Sequence, residues 1–212
     1  MESQVRGGTR WKRFAVVMVP SVLATAAVGV GLAQGALAAS FSVSGQQFKV
    51  TAGHLHGEGF AQYGGIDTVY TSTDGDKKTQ VPVAISSFKD AEITKMCQSV
   101  ATKIPVINKT IYLRLDAGRD KPVTAKNLYI DVAQLDADAT FTNIDIGVAV
   151  QDQNRGPDIK KGDSVLPGGF AQQAESADLY GVEQTAWATT AGTFTLNGLS
   201  MRLGTDAKME CY

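Results

Sequence analysis

Two imidazoles and a carboxylate fall within one short stretch, at His54, His56 and Glu58. In an extended strand, alternate residues share a face. All three side chains would then point one way, together with Phe48, Val50 and Ala52. Such a set could ligate zinc or a similar ion. These are the only two histidines in the chain, so any imidazole catalysis must use one of them. Gly53, Gly57 and Gly59 interleave with them and fit a flexible loop as well. Solvated histidines at a strand end are the plainer reading.

Ser164 is the second candidate, as a nucleophile. Gly162-Asp163-Ser164 matches the core of the G-D-S type of esterase signature. In that signature the motif lies near the N-terminus and a histidine follows it far downstream. No histidine follows Ser164 here, and its surroundings are rich in Lys, Gly and Pro. No G-x-S-x-G elbow is present. Asp131, Asp136, Asp138 and Asp145 are scattered, and no Asp-x-Asp-x-Asp-Gly calcium loop occurs. Asp136 and Asp138 would share a solvated strand face. Nothing in the chain implies a cofactor.

The first forty residues decide how the rest is read. Arg6, Arg10, Lys12 and Arg13 precede a run without charge over residues 14–33, and Ala36-Leu37-Ala38 follows. A basic start, an apolar run and small residues at −3 and −1 are the parts of a secretory signal. The rival is a retained anchor, since twenty residues at ~1.5 Å each span a bilayer core. Residues 1–39 are therefore expected to be a signal peptide or membrane anchor, and residues 40–212 one extracytoplasmic domain, secreted or held at the cell surface. The basic residues precede the apolar run and stay inside.

Formal net charge is −1, and the first 38 residues hold four basic groups against one acidic. Their removal leaves −4, which argues against nucleic acid as a partner. Cys97 and Cys211 are the only cysteines. In an exported chain they read as one disulfide, with two buried free thiols as the alternative.

The elements that must position these residues read as strands. Val81, Val83 and Ile85 alternate, interrupted by Pro82, and residues 110–115, 123–132, 137–141 and 144–148 alternate likewise. A bulge or turn is expected near Asn143. Residues 89–101 fit a strand better than a helix. One short helix is expected within residues 170–179. Asn197-Gly198 between apolar alternations predicts a two-residue hairpin. Many short strands separated by turns predict an all-β fold, a sandwich or a barrel-like sheet.

Lys95-Met96-Cys97-Gln98-Ser99-Val100, Asn127-Leu128-Tyr129-Ile130-Asp131, residues 137–147 and the ending Glu210-Cys211-Tyr212 resemble an actinobacterial exported family of unknown function. The N-terminal segment is similar too. Members are often labelled cholesterol esterase, and the family offers no catalytic residues to carry over. The resemblance implies export, one compact domain and a Gram-positive envelope setting. The sequence thus points to an exported envelope or secreted β-domain with a structural or ligand-binding role. The alternative is a secreted ester hydrolase, cholesterol esterase-like. A membrane contact through residues 14–33, if they are retained, and an envelope or protein partner are the expected associations.

Overall fold

A computed structural model describes residues 44–72, 75–105 and 108–212. The expected signal or anchor at residues 14–33 lies outside them. Among the described residues, no helix is long and apolar enough to cross a membrane.

Among the described residues ten strands run in chain order: β1 (Phe48–Tyr70), β2 (Lys78–Thr94), β3 (Met96–Ile104), β4 (Lys109–Ala117), β5 (Val123–Thr142), β6 (Asp145–Ala149), β7 (Ser164–Val165), β8 (Phe170–Thr190), β9 (Thr193–Thr195) and β10 (Ser200–Gly204). All pairings are antiparallel. β1 pairs with β2, β2 with β5, β5 with β8, and β8 with β1 again. That circuit closes a barrel and leaves none of these four strands as a free edge over its paired length. β3, β4 and β10 extend as a flap from the β1 end of the sheet, with β10 at its margin.

The four barrel strands are long, 23 residues in β1, 17 in β2, 20 in β5 and 21 in β8, and the others are short, 9 residues or fewer. β1, β2 and β8 are bent, and the bends occur at two shared levels. On β1 the inward side chains step from Ala52 to Leu55 and from Gly57 to Phe60, three residues instead of two. β8 makes the same step from Ala174 to Ala177 and from Leu179 to Val182. β2 steps from Phe88 to Ala91, and from Ile93 across to Met96 of β3. Left-handed residues stand at several of these steps: Gly59 (φ 63), Gly181 (φ 59) and Lys95 (φ 50); on β5, Asn127 (φ 46) stands at a like step from Ala125 to Leu128. Neighbouring strands bend together, so their register survives: Glu58 pairs with Asp90 before the bend and Phe60 with Phe88 after it. The expected break near Asn143 is there too, a left-handed residue (φ 51) between β5 and β6.

Two sequence expectations give way. Residues 170–179 form the start of β8, not a helix, because this segment pairs with β1, with Ala174 and Ala177 in the barrel core and Ala171 in the outer one. Asn197-Gly198 does turn the chain, but its flanks do not pair with each other. β9 pairs with β5 and β10 with β4. Asn197 is used elsewhere: its amide donates to the Pro122 carbonyl and its own carbonyl accepts from the Gly118 N–H.

Phe60, Phe88, Leu128, Ile130 and Leu179 fill the barrel interior with small alanines between them. Phe60 packs against Phe88 and Phe141, with ring centroids 5.3 and 5.1 Å apart. Burying each such ring contributes about 1.5–3 kcal/mol. A second, smaller core lies outside the barrel wall. There residues 150–169 cross the outer face as a strap over Tyr63, Val83, Ile85, Tyr129 and Trp187. β7 pins the strap to Gly65 and Ile66 of β1. The C-terminal tail is fastened by the Cys97–Cys211 disulfide, by a Lys49–Glu210 ion pair of 2.9 Å and by Arg114, which donates to the Glu210 carbonyl.

Candidate functional site

The barrel interior is incompletely filled. One cavity of ≈ 150 Å³ is lined by Phe60, Gln62, Ser86, Phe88, Ala137 and Phe141 among others. A second of ≈ 220 Å³ is lined by Val50, Ile93, Met96, Gln98, Thr189 and Phe194 among others. Leu55, Ile130, Val182 and Gln184 line both, so the two adjoin. The lining is apolar apart from a few amides and hydroxyls. Gln62 donates to the Ser86 hydroxyl at 2.8 Å and accepts from Gln172 at 2.6 Å. Gln184 lies at the junction on β8, opposite Val50 of β1 and Leu135 of β5. It is only 6 % exposed, and among the described residues no side-chain hydrogen bond satisfies it. A largely apolar cleft with a few convergent polar groups is the ordinary form of a small-molecule site.

His54, His56 and Glu58 lie on the outer face of β1, away from this cavity. The expectation that they share a face with Phe48, Val50 and Ala52 fails because the three-residue step at Gly53 reverses inside and outside. The structure adds a member that no local spacing could supply. Asp178 of β8 pairs directly with His56. Its Oδ1 lies 2.8 Å from His54 Nε2 and 2.9 Å from His56 Nδ1. The other nitrogen of His56 is 3.1 Å from Glu58 Oε1. His54 stacks on Tyr180, with centroids 4.2 Å apart. The hydrogen bond to Asp178 holds His56 above its usual range, and the imidazoles hold Asp178 below the usual carboxylate range, His56 foremost. Both nitrogens of a charged His56 ring can therefore donate to carboxylates. Among the described residues, no group of three or more His, Cys, Asp or Glu side chains is arranged to hold a metal ion.

Ser164 is exposed on β7, opposite Ile66. His56 lies ten positions earlier on β1, about 33 Å of strand at ~3.3 Å per residue. No imidazole hydrogen-bonds Ser164 among the described residues. Cys97 and Cys211 are joined, with Cα atoms 5.9 Å apart.

Beside Ser164 lies a cluster that sequence reasoning missed. Asp67 of β1, Asp131 of β5 and Asp163 of the strap surround Lys160. The Lys160 ammonium is 3.2 Å from Asp163 Oδ1 and 3.7 Å from Asp131 Oδ2. Asp131 Oδ1, Asp67 Oδ2 and Asp163 Oδ2 are buried without a hydrogen-bond partner among the described residues, and the Tyr63 hydroxyl is buried beside them. Burial raises all three carboxyls, with Lys160 pulling the other way, and pushes Asp131 up to about 6. Burial likewise raises the Tyr63 phenol. The available signal was Asp131 itself, a carboxylate between Ile130 and Val132 in a strongly apolar run.

Comparison with protein-family models gives a match over residues 44–212, to a family of unknown function designated DUF6230. No curated protein and no solved structure matches the chain.

Proposed function

Since the chain belongs to the DUF6230 family of unknown function, its role must be argued from its own geometry, and we propose that it binds a slender apolar ligand inside the barrel. The paired cavities that meet at Gln184 carry this reading. An acyl or comparable hydrocarbon chain suits their apolar walls. Each methylene removed from water contributes about 0.8 kcal/mol. The Gln184 amide would satisfy a single polar group on the ligand. We place this activity outside the cytoplasm, in the envelope or the medium, on the strength of the basic and apolar N-terminal segment.

The test is lipid binding by the purified chain. Solvent extraction followed by mass spectrometry should release a bound hydrocarbon ligand, and a fluorescent fatty-acid analogue should bind saturably. Val182 lines both cavities, and Val182→Trp should block them and abolish binding while the fold persists by circular dichroism. An empty extract together with unsaturable fluorescence would sink the proposal. The alternative is ester hydrolysis. Turnover of p-nitrophenyl or cholesteryl esters that Ser164→Ala removes would favour it over simple binding.

A further inference from the structure

The Asp67–Asp131–Asp163 cluster poses a charge problem. Three carboxylates face one ammonium under the strap. Asp131 is 2 % exposed, and the Asp163 side chain is 8 % exposed. Tyr63 and Tyr129 stand beside them, and Asp131 is paired across the sheet with Ile85. Buried charges are costly unless fully paired. Here three carboxylate oxygens lack partners among the described residues. A native structure needs an explanation for such groups.

We propose that Lys160 and Asp131 condense to an intramolecular isopeptide bond, which fastens the strap of residues 150–169 covalently to β5. The amine stands between a carboxyl that can accept it and a carboxylate that can carry its protons. Asp131 retains a proton more readily than an ordinary aspartate, because burial disfavours its charge. Asp163 is the nearer carboxylate and lies on the same turn, its N–H donating to the Lys160 carbonyl at 3.1 Å.

The step balances without a co-reactant. Lys160 starts as an ammonium and Asp131 as a carboxylate. One proton passes from Nζ to Asp131, leaving a neutral amine beside a neutral acid. The Nζ lone pair attacks Cγ of Asp131, forming the C–N bond. A second proton passes from Nζ through Asp163 to the departing hydroxyl, the C–O bond breaks, and water leaves. Asp163 ends as it began. The product is a neutral amide where two buried charges stood, so relief of desolvation favours the forward direction. Holding the groups in place supplies the rest, since fixed geometry can be worth an effective molarity of about 10⁵ M or more.

Intact mass spectrometry of the reduced, denatured full chain tests this. The wild-type chain should be lighter than its sequence mass by one water, and Lys160→Arg should restore the full mass. Proteolysis should release a branched peptide joining residue 160 to residue 131. Asp163→Asn should leave a substantial fraction of the chain unlinked. Full mass in the wild-type chain, after incubation of the folded protein near neutral pH, overturns the proposal. So does a water loss that persists in Lys160→Arg, which would place the dehydration elsewhere, for example as a succinimide at Asn197-Gly198. A branch to Asp163 instead of Asp131 overturns the assignment as well. The readout is independent of ligand binding, so either proposal can fail alone.

Discussion

Replacing Gln184 with Leu should move stability and binding in opposite directions. The amide is nearly fully buried where the two interior cavities meet. The Gln184 amide has no side-chain hydrogen bond among the described residues, and so desolvated an amide costs up to about 1–3 kcal/mol. Leucine fills a similar volume without that cost. With imperfect packing allowed for, Gln184→Leu should stabilise the empty protein by about 1 kcal/mol, or about 2–4 °C in Tm for a domain of this size. The ligand, by contrast, loses its one polar anchor. A lost neutral hydrogen bond of about 0.5–1.5 kcal/mol weakens binding roughly 2- to 13-fold. Thermal melting of ligand-free protein, paired with titration of a fluorescent fatty-acid analogue, reads both quantities. A lower melting temperature would mean that the amide is already satisfied. Unchanged affinity would mean that the ligand does not reach the junction. Either result refutes the reasoning.

Other expectations concern the fasteners and the outer face. The Cys97–Cys211 bridge spans a sequence separation of 114, so the chain-entropy model assigns it about 4.8 kcal/mol. Cys211→Ser should lower urea stability by up to that amount, and a loss below about 1 kcal/mol would show that the tail's polar contacts suffice. His56 has a raised pKa, so its contribution is complete below the ordinary imidazole value and fades as pH rises through the folded one. Asp178 is depressed, so its share is present above the ordinary carboxylate value and is lost on acidification. The stability difference between wild type and His56→Ala should therefore peak between about pH 4 and 6.5 and shrink above it. Both groups are part-exposed, so after solvent screening the peak should be about 0.5 kcal/mol. A difference that grows from pH 6.5 to 9 would contradict the assigned pairing. Dialysis against a chelator should leave the melting curve unchanged, whereas a drop restored by zinc would make the His54–His56–Asp178 group a metal site.

The all-β class was legible from Val81-Pro82-Val83-Ala84-Ile85 and its counterparts, where period-two alternation survives for several residues. The length of the four barrel strands was not. At Gly53 and Gly59 the alternation slips by one residue, and a slip in sequence looks like a strand end. In space β2 and β8 bend at the same levels, so the hydrogen bonding resumes beyond each bend and the strand continues. The same slip misplaced His54 and His56, whose face depends on whether Gly53 ends the strand or only turns it over.

By itself the sequence determined what local chemistry can determine: β-propensity, the break at Asn143, the basic-apolar start and two cysteines able to pair. Each rests on residues a few positions apart, or on a count. The tertiary structure alone decided which distant residues meet. It set Asp178 against two histidines more than 120 positions away, closed β8 onto β1 so that a cavity opens at Gln184, and laid Lys160 over Asp131. None of these has a local signature. Cross-strand register and barrel closure emerge only when every strand's inward face is buried at once, and a one-residue shift in any of them would break the contacts.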